Sequence, residues 1–115
     1  MEELKSTLGL SNITLGTMRF FDKSLSKTDV VKLIESAYDI GIRTHHSSYE
    51  YSSYSLYINA LRESSCKQNL KHIIKLSAPH FEESIFSAKQ LEDKVDKELK
   101  SLGIESIDVL QWLLR

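Results

Sequence analysis

An α/β fold with a parallel sheet is what this sequence predicts, on three observations. Short apolar runs of strand length alternate with longer amphipathic stretches of helical period. Serine helix-start signals and single glycine stops fall between them. The resulting order is strand, helix, strand, helix, strand, helix, strand, which argues for βαβ units around a parallel sheet.

The elements follow in chain order. The first apolar stretch, ITLGTMRFF over Ile13 to Phe21, reads as a short strand running into a loop. Ser26-Lys27-Thr28-Asp29 fits a capping box, in which the serine oxygen accepts from an orphan backbone N–H. Val30, Val31, Leu33, Ile34, Ala37 and Tyr38 then recur at helical spacing and form one apolar face. Gly41 follows as the stop, since glycine adopts a left-handed backbone at little cost. Ile42 to Ser47 resumes as a strand, and Ser53 to Glu63 reads as a second helix with Leu56, Tyr57, Ala60 and Leu61 on its apolar side. Leu70 to Leu76 is a third strand, followed by a loop holding Pro79 and His80.

Ser87 to Gln90 fits another capping box. Behind it, Leu91, Val95, Leu99 and Leu102 give the clearest helical stripe in the chain, and Gly103 stops it. Ile107 to Leu114 is apolar enough for a strand buried on both faces. Right-handed crossovers would put the helices on one side of a curling sheet or on both faces of an open one.

Composition excludes several classes. Fifteen Lys and Arg nearly balance sixteen Asp and Glu, so no electrostatic reason exists to expect nucleic acid or an anionic membrane as partner. Cys66 is the single cysteine, which rules out an internal disulfide and suits a reducing, cytoplasmic compartment. The opening MEELKSTLGL has no apolar h-region, and no apolar run approaches the roughly 18 residues of a membrane span. P-loop, dinucleotide-fold and serine-hydrolase signatures do not occur. Metal binding is not expected either. His45 and His46 are strand neighbours that point to opposite faces, and no paired His or Cys spacing is present. Cys66 stands in SSCKQN with no motif around it and reads as a bystander.

The segments ITLGTMRF, DIGIRTHHSSYEYS, HIIKLS and SLGIESIDVLQWLLR, in that order, are similar to the N-terminal half of the aldo-keto reductases. The resemblance covers Ile13 to Arg115 and rests on four separated motifs rather than on any one of them. It implies alternating βα units of a (β/α)8 TIM barrel, of which residues 1–115 make about the first half, a single partial domain. It further implies reduction of a small-molecule carbonyl substrate with NADP(H).

The family's chemistry needs a tyrosine proton donor, a lysine beside it, an aspartate paired with that lysine, and a histidine that orients the carbonyl. These stand at the C-terminal face of the barrel, where negative charge develops on the carbonyl oxygen. The family pattern G-I-x-x-x-D-T-A-x-x-Y-G, counted from Gly41, puts the tyrosine at Tyr51. The aspartate position holds His46, and the last glycine position holds Ser52. The family lysine at the end of the third strand is matched by Lys75. The pattern D-L-x-Q-x-H, laid on Asp108 onward, puts Leu113 where the histidine belongs. Gly16, Thr17 and Met18 correspond to the early part of the cofactor site.

Tyr51 and Lys75 thus match, while His46 and Leu113 do not. Losing one positioned donor commonly costs on the order of 10²–10³ in rate. His46 beside Lys75 would repel it when charged and could accept a hydrogen bond from it when neutral. A whole barrel takes roughly 200 residues or more. A half-barrel has open strand edges, so self-association is expected, with Leu102 to Leu114 among the barest apolar surfaces. The alternative function is a catalytically inactive binding or oligomerisation module derived from the same barrel.

Overall fold

A computed structural model gives the arrangement of residues 9–20, 23–77 and 87–113. Four strands and three helices alternate: β1 (Thr14–Gly16), α1 (Lys27–Asp39), β2 (Thr44–Ser48), α2 (Tyr54–Glu63), β3 (Lys71–Ser77), α3 (Ala88–Leu102) and β4 (Val109–Leu113). A 3-10 turn, Lys67–Asn69, precedes β3. The loop expected at Pro79 and His80 lies outside the described residues, as do Phe21, Leu114 and Arg115.

Local signals set the helix ends. The Ser26 oxygen accepts from Asp29 N while the Asp29 carboxylate accepts from Ser26 N, so the capping box is complete. The Ser26 backbone N–H, helped by the Ser26 hydroxyl, holds the Asp29 carboxyl below the usual carboxylate range. Gly41, at φ +100°, turns the chain from α1 into β2. Ser87 caps α3 through Gln90 N, and Gly103 ends it in the left-handed region at φ +67°. A side chain at either glycine would be strained whatever the space around it.

The strands form one parallel sheet in the order β1-β2-β3-β4, each pair joined through a helix. Gly16 lies in register with His46, Ser48 with Lys75, and Lys75 with Gln111. Because side chains alternate along a strand, His46, Lys75 and Gln111 share one face, while His45, His72 and Ile74 share the other. The core fills the space between that second face and the helices. Val30, Ile34, Tyr57, Leu61, Ile74 and Leu76 belong to it.

β4 departs from expectation. Its sequence suggested burial on both faces, yet Leu110 is 42% exposed. The strand has one strand neighbour, β3, and among the described residues it is the last element, so the apolar run exceeds the packing it receives. Boundaries elsewhere moved by one or two residues, and β1 shrank to Thr14–Gly16.

Candidate active site

β2, β3 and β4 run parallel, so their C-terminal ends lie together. β2 delivers His46 and then breaks at Ser48, and the turn that follows carries Tyr51. That turn is pinned at both ends: Tyr51 N donates to Ser48 O at 3.1 Å, and Tyr54 N donates to Tyr51 O at 3.0 Å as α2 begins. The Tyr51 hydroxyl lies 3.4 Å from His46 Nδ1. The Lys75 ammonium stands 4.9 Å from the centroid of the Tyr51 ring, over its face. Tyr51, Lys75 and His46 are each partly buried, so the group sits at the sheet rim and is open to solvent on one side.

His46 takes neither of the arrangements expected of it with Lys75. Its Nε2 is 2.8 Å from Gln111 Oε1 on β4. With the Gln111 amide oxygen turned toward it, this network assigns the hydrogen to Nε2 and leaves the Nδ1 lone pair for the Tyr51 hydroxyl. Lys75, in turn, makes no ion pair among the described residues, and its attraction to Tyr51 is that of a cation over a ring. Gln111 is the residue that sequence reasoning passed over. It stands at the glutamine of the D-L-x-Q-x-H pattern, and that match was the available signal. Leu113 ends β4 in register with Ser77.

The three residues matched to the cofactor site behave differently from one another. Gly16 has nothing within 4 Å of where a Cβ would stand, so the space beside His46 is open there. Met18 is 50% exposed. Thr17 is buried, and its hydroxyl donates to His46 O at 3.1 Å while its backbone N donates to the same oxygen at 3.2 Å. Thr17 therefore fastens the β1 loop to β2 and holds His46 in place, and its hydroxyl is taken. Buried Ser53 tightens the same loop by donating to Thr17 O at 2.6 Å.

His45 and His72 are structural. His45 is fully buried on the helix side, 2.7 Å from the Tyr57 hydroxyl, with the His72 ring edge-on at 6.0 Å between centroids. No group of three or more metal-ligating side chains occurs among the described residues. Cys66 is buried, and burial pushes its thiol up, which makes it a poor nucleophile. A cleft of about 450 Å3 opens at the opposite end of the sheet, between the starts of β3 and β4, with Lys71, His72 and Asp108 in its wall. It is separate from Tyr51 and Lys75.

A family model described as the aldo/keto reductase family matches residues 12–112. The chain belongs to the aldo/keto reductase family. An aldose reductase from Schistosoma japonicum has a similar fold, with a TM-score of 0.62 at 21% identity over 96% of this chain and 36% of its own. An aldo/keto reductase from Brucella melitensis gives a TM-score of 0.61 at 18% identity over 97% and 39%. No curated protein matches the chain by sequence. At these identities the likeness is one of fold, and the parallel βα units are those of the first half of an aldo/keto reductase barrel. The chain spans little more than a third of the length of those structures.

Proposed function

We propose that the chain carries the proton-donating corner of an NADP(H)-linked carbonyl reductase, with Tyr51 as proton donor and Lys75 as its cationic partner. The observation that supports this is their convergence near the C-terminal ends of β2 and β3, with the Lys75 ammonium 4.9 Å from the Tyr51 ring centroid. Reduced nicotinamide, when bound, would supply the hydride to an aldehyde or ketone. The rest falls to the chain's own residues. Tyr51 donates its phenolic proton where negative charge grows on the carbonyl oxygen, and Lys75 offsets the charge left behind on the ring. Gly16 and Met18 border the open space in which the nicotinamide would lie. A cytoplasmic setting accords with a lone buried cysteine. Among the described residues no helix is long and apolar enough to cross a membrane.

The second reading is a binding or oligomerisation module without catalysis. It is favoured by Lys75 making no ion pair among the described residues and by exposed Leu110 on β4. Titrating NADPH fluorescence with the chain separates the two. A change on mixing that is lost in Gly16→Val supports the reductase reading, because valine fills the open space without straining β1. No change at high protein concentration sinks it for this chain and leaves the module.

A further inference from the structure

We propose that His46, with its tautomer set by Gln111, is the proton partner of Tyr51, a positioning residue standing where the family carries a carboxylate. This rests on the reductase reading for its role in a reaction, but the pairing itself is a property of the chain.

Three groups from separate segments stand in line. Gln111 Oε1 on β4 is 2.8 Å from His46 Nε2 on β2, and His46 Nδ1 is 3.4 Å from the Tyr51 hydroxyl in the turn after β2. The two hydrogen-bonding atoms of one imidazole are thus divided between an amide oxygen and a phenol. Thr17 anchors the backbone beneath the ring by two hydrogen bonds to His46 O. On β1, Gly16 stands in register with His46 and presents no side chain to compete. On β3, Lys75 is the charged group that faces the pair, and it lies over the ring of Tyr51. The phenol oxygen therefore has the imidazole as its hydrogen-bonding partner among the described residues.

The proton path follows from this order. In reduction, the Tyr51 O–H bond breaks and its proton joins the substrate oxygen, while the carbonyl carbon receives hydride from a reduced nicotinamide dinucleotide. Solvent on the open side then delivers a proton to the bare Nδ1, and the phenolate left behind takes it from there. The Nδ1–H bond breaks, the O–H bond of Tyr51 re-forms, and His46 is again neutral with Nε2–H on Gln111. In the reverse direction neutral Nδ1 accepts the phenolic proton. A carboxylate in that place, ionised at neutral pH, would only accept, whereas a neutral imidazole accepts at one nitrogen while donating at the other.

Nitrogen-15 spectra of the labelled chain, observing the His46 ring through its carbon-bound protons at mildly alkaline pH, test the pairing without cofactor or activity. Expected is the tautomer with Nε2 protonated and Nδ1 bare. Gln111→Leu should weaken that preference to the modest Nε2–H bias of a free imidazole and Gln111→Glu should keep it complete, while Tyr51→Phe should shift the Nδ1 resonance toward that of a free lone pair. A ring found with Nδ1 protonated, or an Nδ1 resonance unmoved by Tyr51→Phe in a chain whose backbone spectrum is otherwise intact, overturns the proposal. Should Tyr51→Phe disturb the fold, the Tyr51 ring-carbon titration in His46→Gln serves instead: a displaced midpoint supports the pairing and an unchanged one overturns it. The NADPH titration is independent of these spectra. Binding without the pairing defeats this inference alone, and the pairing without binding defeats the reductase reading alone.

Discussion

Ser53 has no exposed surface, and its hydroxyl donates to Thr17 O at 2.6 Å and lies 3.4 Å from Met18 O. This one side chain ties the start of α2 to the loop after β1, the loop that in turn seats His46. Ser53→Ala removes the shorter of the two hydrogen bonds that Thr17 O accepts, the other coming from Phe20 N at 3.4 Å, which costs about 0.5–1.5 kcal/mol. In a domain of roughly 100 residues each kcal/mol lowers the melting temperature by about 4–8 °C. The expected result is a melting temperature reduced by several degrees in circular dichroism, with weaker NADPH response if the loop also frames the cofactor. A melting temperature within a degree of the parent would show that the hydroxyl contributes little. At this scale the sequence was partly legible. Tyr51 and Lys75 could be matched to a family motif, and the matched residues do meet. The partner of His46 could not be found that way, because Gln111 is 65 positions distant and only the strand order β2-β3-β4 brings it near.

Helix α2 meets α3 through a polar joint. The Tyr54 hydroxyl donates to the Glu98 carboxylate, and Glu98 is buried at the interface. Burial raises the Glu98 carboxyl above its ordinary value, and the hydrogen bond from Tyr54 opposes that rise only in part. The Tyr54 phenol is likewise pushed far up by burial and by the carboxylate. A raised acid costs the fold stability as pH climbs past the ordinary carboxyl value, since the unfolded chain ionises more readily than the folded one. Glu98→Gln keeps an acceptor for Tyr54 and removes the charge, so it should melt higher than the parent at pH 7. Tyr54→Phe strands the carboxylate and should melt lower, by about 1–3 kcal/mol. Both are read by thermal denaturation, and a destabilised Glu98→Gln would contradict this view of the joint. Such joints were hidden in the sequence, where Tyr54 and Glu98 fall on separate helices 44 positions apart. The helices themselves were not hidden. Ser26, Asp29, Gly41, Ser87 and Gly103 act within a few residues of where they stand, so their signals survive without tertiary knowledge. The exposure of Leu110 was illegible for the opposite reason, since it depends on what packs against β4 and not on β4.

Across the whole molecule, the weak point is the layer between the sheet and the helices. His45 and His72 are buried there, and among the described residues His45 Nε2 and both ring nitrogens of His72 have no hydrogen-bond partner. Burial presses the His45 imidazole from 6.5 down to about 3, and the neighbouring His72 adds to the effect. Burial lowers His72 to about 4, with Asp108 pulling the other way. Both rings are therefore neutral in the folded chain at a pH where the unfolded chain has already protonated them. The unfolded state then holds more protons, so stability falls as pH falls from the ordinary value of 6.5 toward about 4. Each histidine contributes up to about 1.4 kcal/mol per pH unit, hence about 3 kcal/mol per unit for the pair. Against a total of about 5–15 kcal/mol for a domain, two or three units of acid are enough to unfold it. The chain should thus lose its fold cooperatively in acid, near about pH 3.5–4.5. His72→Leu removes one titrating ring and two unpartnered nitrogens at similar volume, beside a cleft that can take the extra methyl group. Its urea midpoint should exceed that of the parent at pH 7 and fall about half as steeply toward pH 4.5. Parallel curves for the two proteins would mean that protonation of buried histidine is not what acid acts upon.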